Sequence, residues 1–309
     1  MLFLFAFTTN PYDILNSAKA ADNIAYGSPK SSTTLADVIA NSQFEEPKAA
    51  MAFSEGKILS AIPVPLMRPQ MTTSRPNVNE ALKPVPVFGD RKPHQWATIT
   101  PWQYKIHGTD VSKYQGAIEW QTVKASGISF VFIKATEGGD YLDNYFAANW
   151  HQAKLAHLPR GAYHFYYFCR PARDQARWFI RNVPKDKSAL PPVLDIEWNH
   201  TSPTCRIKPD PRIVRREIGV FLSILKAHYG KNPIIYTTVD FFDQNDLRLL
   251  KYDHFWLRSV AGHPSEKYGS HTWTFWQYTG TGQIPGIKGD ADINVFHGTD
   301  VEWRSFLKQ

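Results

Sequence analysis

The sequence predicts an α/β protein, a single TIM-like βα barrel behind a largely disordered N-terminal extension. Three observations carry this expectation. From Ile106 onward, short apolar runs alternate with amphipathic helical segments, the pattern of parallel strands joined by right-handed crossovers. Eight such runs fit into about 200 residues, with little room for helices between the last three, so the barrel is a trimmed one. Before residue 105 this texture is missing, and all ten Trp lie beyond residue 95.

The chain opens on Met-Leu-Phe-Leu-Phe-Ala-Phe, an apolar start shorter than an ordinary signal core and without a preceding basic residue. Ala18, Lys19 and Ala20 resemble a small-residue cleavage site, so residues 1–7 read as a degenerate signal segment. Residues 8–105 are rich in Pro, Ser, Thr and Asn. Their alternating prolines at 63 and 65 and again at 84 and 86 suit an extended linker and not a core strand. A short helix is expected at 35–42. The expected division is therefore 1–105 as extension and 106–309 as the barrel. No apolar run is long enough to span a membrane.

Within the barrel, strands are expected at 105–111, 130–135, 161–168, 192–197, 233–237, 254–259, 273–278 and 291–295. Asp143 fits the cap of a helix carrying Phe146, Trp150 and Ala153. A second helix follows Pro171, with Ala172, Ala176, Phe179 and Val183 on one face. Asp210 and Pro211 pair a cap with a first-turn proline, opening a third helix with Val214, Ile218, Phe221, Leu222 and Leu225 inward.

A hydrophobic fraction of 43% and an aromatic fraction of 14% suffice for a sizeable core. The first hundred residues are nearly neutral, with 9 Lys/Arg against 8 Asp/Glu, so most of the net +7 belongs to the barrel region. That excess fits an anionic polymer, although ordinary solubilising charge explains it as well. No Lys/Arg cluster is dense enough for nucleic acid, which is not expected as a partner. The two cysteines, Cys169 and Cys205, each follow a predicted strand on the same rim, and one bridge is sterically possible if the chain is exported.

Residues 190–198, Leu-Pro-Pro-Val-Leu-Asp-Ile-Glu-Trp, carry the chemistry. Short, apolar and opened by prolines, they read as an interior parallel strand. Positions i and i+2 share a face about 6.5 Å apart, so Asp195 and Glu197 stand side by side. Two like charges in a buried place raise at least one proton affinity. A protonated carboxyl beside an ionised one is the requirement of glycoside cleavage. Alone, such a pair also suits metal binding or neutralisation of an arginine. Asp110, Tyr167, Tyr236, Arg258 and Tyr278 also fall near strand C-termini, where barrel chemistry is located.

Residues 107–116, His-Gly-Thr-Asp-Val-Ser-Lys-Tyr-Gln-Gly, resemble the first-strand motif of the family 25 glycoside hydrolases, the muramidase lysozymes. Residues 132–138 (Phe-Ile-Lys-Ala-Thr-Glu-Gly), 161–165 (Gly-Ala-Tyr-His-Phe) and 194–197 (Leu-Asp-Ile-Glu) resemble the next three strands. Trp276, Gln277 and Tyr278 with Gly286 and Ile287, then Asp292, Ile293 and Asn294, resemble the closing segment. The likeness covers 106–309 and none of the extension.

The resemblance implies a barrel of five βα units and three further strands that hydrolyses the β-1,4 bond between N-acetylmuramic acid and N-acetylglucosamine, with retention. It implies Glu197 as general acid and Asp195 as stabiliser of the developing positive charge, directly or through the substrate's acetamido group. Asp110 and Asp292 complete an acidic bowl that Tyr163 helps to shape. Tyr167, Trp256, Trp276 and Tyr278 near the rim suit the apolar faces of sugars, and substrate contacts are expected from Tyr163, Trp256, Tyr236 and Trp276. His164 is expected to be structural. Arg258 departs from the motif and adds a charge at the rim. No cofactor and no metal is expected, because no close-spaced ligand pair accompanies His107, His164, Asp195 and Glu197. The expected partner is the glycan strand of peptidoglycan, met by a monomer in the cell envelope, periplasmic or secreted. A non-catalytic glycan-binding barrel and a metal-dependent hydrolase are the rival expectations.

Overall fold

The computed structural model describes residues 86–199 and 202–309. Eight strands, β1 (His107–Val111), β2 (Ile128–Glu137), β3 (Arg160–Phe165), β4 (Val193–Asp195), β5 (Ile234–Thr237), β6 (Phe255–Arg258), β7 (Phe275–Gln283) and β8 (Ala291–Phe296), form the barrel. The sheet runs in chain order from β1 to β7 in parallel, and β8 returns antiparallel between β7 and β1 to close the ring. Helices follow the first five strands: α1 (Trp120–Ala125), α2 (Phe146–Leu155), α3 (Ala172–Asn182), α4 (Pro211–Tyr229) and α5 (Val239–Gln244). Only the one-turn α6 (Pro264–Lys267) separates β6 from β7, and α7 (Asp300–Phe306) ends the chain. Five βα units and three further strands are thus present.

Local chemistry sets several of these boundaries. Asp210 accepts the Arg212 backbone N–H at 2.8 Å to open α4, and Gly230 in a left-handed conformation closes it. A capping box between Thr299 and Glu302 starts α7, whose Trp303 and Phe306 pack on Phe130, Phe275 and Phe296 as the barrel floor. Above that floor the interior is aromatic. A Cβ on Gly108 would lie 2.4 Å from the Phe130 ring, and one on Gly161 would lie 2.7 Å from Phe132. The glycines leave the volume that those two rings fill, the large-against-small matching a narrow barrel requires.

Two expectations are corrected here. Residues 86–105, assigned to the linker, pack on the barrel instead. Gly89–Asp90 adds a two-residue antiparallel strand to the end of β7, Trp96 meets Trp276 edge-on, and Phe88 and Trp102 cover His107. The physical reason is the absence of full helices after the last three strands, whose apolar outer faces must be covered by something else. The fourth strand ends at Asp195 and not at 197, so Glu197 stands on the segment just beyond it. The expected helix at 35–42, the signal-like start and the proline-rich stretches at 62–66 and 83–85 lie outside the described residues. Among the described residues, no helix is long and apolar enough to cross a membrane.

Candidate active site

At the C-terminal ends of the parallel strands the pleat turns polar. Along β1, β2, β3 and β5 every second residue points inward, so the apolar floor gives way to Asp110, Lys134, Tyr163 and Tyr236 one layer higher. Together with Asp195, Glu197, Arg258, Gln277 and Asp292 they line an open cavity of about 580 Å³. Asp195 is the last residue of β4, in register with Phe165 and Tyr236 on the flanking strands. Glu197, two residues on, lines the same cavity, so the pair faces one way as the spacing requires.

Burial dominates the electrostatics. It raises the Glu197 carboxyl to about 7, against the opposing pull of the Arg258 guanidinium. Burial also raises Asp195 well above the usual carboxylate range, and the Glu197 charge adds to it. Among the described residues Asp195 Oδ1 is buried without a hydrogen-bond partner. Such an acceptor is costly unless something donates to it. Asp110 and Asp292 are direct cross-strand neighbours of β1 and β8. Burial raises both, Asp110 to about 6, and the hydrogen bond between their carboxyls favours the proton on Asp292. Asp110 is held in place by two amides, Gln277 Nε2 at 3.0 Å and Asn294 Nδ2 at 2.7 Å. Four acids therefore share fewer than four charges near neutral pH.

The aromatic expectations divide. Trp256 lines the cavity, stacks on Phe132 and donates from its indole to Asn294 at 2.8 Å. Tyr236 lines it and donates to Gln277 Oε1 at 3.0 Å, and Tyr163 and Tyr167 are also on its wall. Trp276 and Tyr278 are not. Both occupy the other pleat of β7, facing outward under the 86–105 segment. There the Trp276 indole donates to the Ser259 carbonyl at 2.8 Å and the Tyr278 hydroxyl meets His107 Nδ1 at 3.2 Å. The expected strand ended at 278, but β7 runs on to Gln283, and along it the period of two decides the face, with Gln277 the inward residue there. His164 is structural, as expected: it is fully buried outside the ring, bonded to Thr136 Oγ1 at 2.7 Å and Gln175 Oε1 at 3.0 Å.

The residues that sequence reasoning did not single out are mostly those that hold the acids. Lys134 pairs with Glu137 at 2.6 Å, Tyr167, expected at the rim, donates to the same Glu137, and all three line the cavity. Gln277 and Asn294 lay within the quoted motifs without a role. Their signal was the two-residue step from Asp292 to Asn294, which puts an amide on the same face as the acid. Asp143, expected as a helix cap, is buried, and it accepts the Tyr145 backbone N–H at 2.9 Å and, from the turn after β1, that of Lys113 at 2.9 Å. The cysteine pair is bridged. The disulfide ties the segment after β3 to the one after β4, whose Asn199, Ser202 and Pro203 form part of the cavity wall.

Comparison with known proteins agrees with this architecture. The family model described as glycosyl hydrolases family 25 matches residues 109–287. The chain is 38% identical over 205 residues to lysozyme M1 of Streptomyces globisporus, covering 63% of this chain and 68% of that one. It is 35% identical over 225 residues to the uncharacterized protein YegX of Escherichia coli, covering 71% and 80%. A family 25 glycosyl hydrolase of known structure from Bacillus anthracis superimposes with a TM-score of 0.61 at 37% identity, over 70% of this chain and 98% of that one.

Proposed function

The chain belongs to glycosyl hydrolase family 25, and from that premise we propose that its cavity is the active site of a lysozyme that cleaves the β-1,4 bond between N-acetylmuramic acid and N-acetylglucosamine in peptidoglycan. One observation carries the proposal. Two carboxyls stand side by side at the mouth of an open groove, with a proton affinity raised by burial and one buried acceptor left without a donor.

Glu197 is the general acid. Its carboxyl stays substantially protonated near neutral pH and reaches the open part of the cavity, so it can donate to the leaving glycosidic oxygen. Asp195 stands deeper. Its orphaned Oδ1 suits the N–H of the substrate's 2-acetamido group, which would turn the acetamido oxygen toward the anomeric carbon and lead to retention. Where that oxygen does not attack, the same carboxylate faces the oxocarbenium-like charge directly. The Asp110–Asp292 pair, carrying one proton between two carboxyls, supplies further negative potential without the cost of full ionisation. Tyr163, Tyr236 and Trp256 offer ring surface for the sugar.

The location follows from the substrate. Peptidoglycan lies outside the cytoplasmic membrane, and the Cys169–Cys205 bridge suits an oxidising compartment, so the protein acts in the envelope or beyond it. Glu197→Gln keeps the shape and removes the donor. It is expected to lower turnover of purified sacculi about 10³-fold while the protein stays folded. Mass spectrometry of the released fragments should find reducing N-acetylmuramic ends. Undiminished lysis by the folded variant removes Glu197 from the mechanism; reducing N-acetylglucosamine ends reassign the bond, and anhydro ends replace hydrolysis by transglycosylation at the same bond.

A further inference from the structure

Beside the cavity, one large ring has no structural reason to be where it is. Tyr114 lines the wall and is 80% exposed, the most exposed large hydrophobic side chain in the described residues. Water is a poor environment for an aromatic face, and mobile loops are where such residues are usually tolerated. This turn is not a mobile loop. Tyr114 is the middle residue of the 3₁₀ turn Lys113–Gln115, which follows β1 directly.

The turn is fastened on every side. Ser112 and Gln115 form a capping box, in which Gln115 Oε1 accepts the Ser112 N–H at 2.9 Å. Gln115 Nε2 also donates to the Asp290 carbonyl at 3.3 Å, across to the segment before β8. The Lys113 N–H donates to the buried Asp143 carboxylate at 2.9 Å. Lys113 Nζ lies 5.4 Å from the Tyr114 ring centre and 4.8 Å from that of Tyr141, and donates to the Tyr141 hydroxyl at 2.8 Å. The cation thus braces the Tyr114 ring against a second ring. A rigid support holds an apolar surface in the solvent at the edge of a sugar-sized groove, which is how a preorganised stacking platform is built.

We propose that Tyr114 is the platform of an outer glycan subsite: it stacks on a sugar of the same strand beyond the two units that flank the cleaved bond. The inference rests on the hydrolase reading of the cavity and adds to it a dependence on chain length. The apolar face of a pyranose matches the ring, and the Lys113 ammonium beside it favours a unit with a free carboxylate, such as a muramic acid whose lactyl carboxyl carries no stem peptide. The turn's anchors include the segment before β8 and the segment before α2, so the platform is fixed relative to the acids of the cavity and not only to its own strand.

The test uses the full protein and soluble peptidoglycan glycans of four, six and eight sugars. With Tyr114→Ala, KM is expected to rise with substrate length, to about tenfold on the longest glycan, while kcat changes much less. Tyr114→Trp, which keeps a face for stacking, should restore KM. A KM equal to that of the native protein on every length, or a penalty that is the same on every length, overturns the platform. Calorimetric binding of the same glycans to the Glu197→Gln protein, with and without the added Tyr114→Ala substitution, reads the subsite apart from turnover. Tyr114-dependent binding without cleavage by the native protein supports the subsite and sinks the hydrolase reading alone.

Discussion

Glu197 is a carboxyl pulled in two directions. Burial keeps its proton on, and the Arg258 guanidinium at the end of β6 draws it off. A general acid must be protonated, so activity falls as pH rises through the value near 7 that this balance sets. Removing the cation removes the influence that favours the ionised form. Arg258→Met is therefore expected to move the alkaline limb of the kcat/KM profile to higher pH, read from initial rates between about pH 5 and 9. A limb that stays in place or moves down means that Arg258 does not face the acid in solution. Asp195 and Glu197 were legible in the sequence because a two-residue step on a strand leaves only one geometry. The roles of Lys134 and Glu137 were not, nor was the bond that Tyr167, already placed near the rim, gives to Glu137. Their interplay joins the end of β2 to the segment after β3 and has no local period to reveal it.

At the scale of elements, the walls of the cavity come from segments with little regular structure, and covalent and polar ties replace the missing ladder bonds. The Cys169–Cys205 bridge closes a loop of 36 residues around β4 and fixes the wall at Ser202 and Pro203. Constraining a loop of that length in the unfolded chain is worth about 4 kcal/mol. The Cys169→Ser, Cys205→Ser double variant should unfold at a lower temperature, and its KM for glycan should rise more than its kcat falls. An unchanged KM would show that the wall keeps its place without the bridge. The helices were largely readable in sequence: α4 from its Asp-Pro start and α3 from its apolar face. The exact end of β4 was not, since Ile196 and Glu197 continue the strand pattern after the ladder has stopped.

For the barrel domain as a whole, the open question left by five helices and eight strands is what covers β7, β8 and β1 on the outside. The segment at 86–105 does so, with Trp96 edge-on to Trp276 at 5.1 Å and the Tyr104 hydroxyl meeting His263 Nε2 at 2.9 Å. Trp96→Ala removes the half-buried ring that lies on Trp276 and is expected to destabilise the domain by about 1–2 kcal/mol. The loss is checked by denaturant unfolding followed through tryptophan fluorescence. A change below about 0.5 kcal/mol would mean that the segment rests on the barrel without supporting it. The sequence hid this role because a strap that crosses strands has no repeat of its own. Its prolines and polar residues read as linker, and its tryptophans gain meaning only against the uncovered faces.

By itself the sequence determined the strand and helix alternation, the place of the acid pair on one face and the family to which the motifs belong. Each of these is written in local period and spacing. Tertiary structure alone decided that Asp110 is held by amides from two other strands, that Trp276 and Tyr278 face away from the cavity, and that residues 86–105 belong to the barrel. Those outcomes depend on closure of the ring. Closure brings residues nearly two hundred positions apart into hydrogen-bond distance and sets which side of each strand is inside.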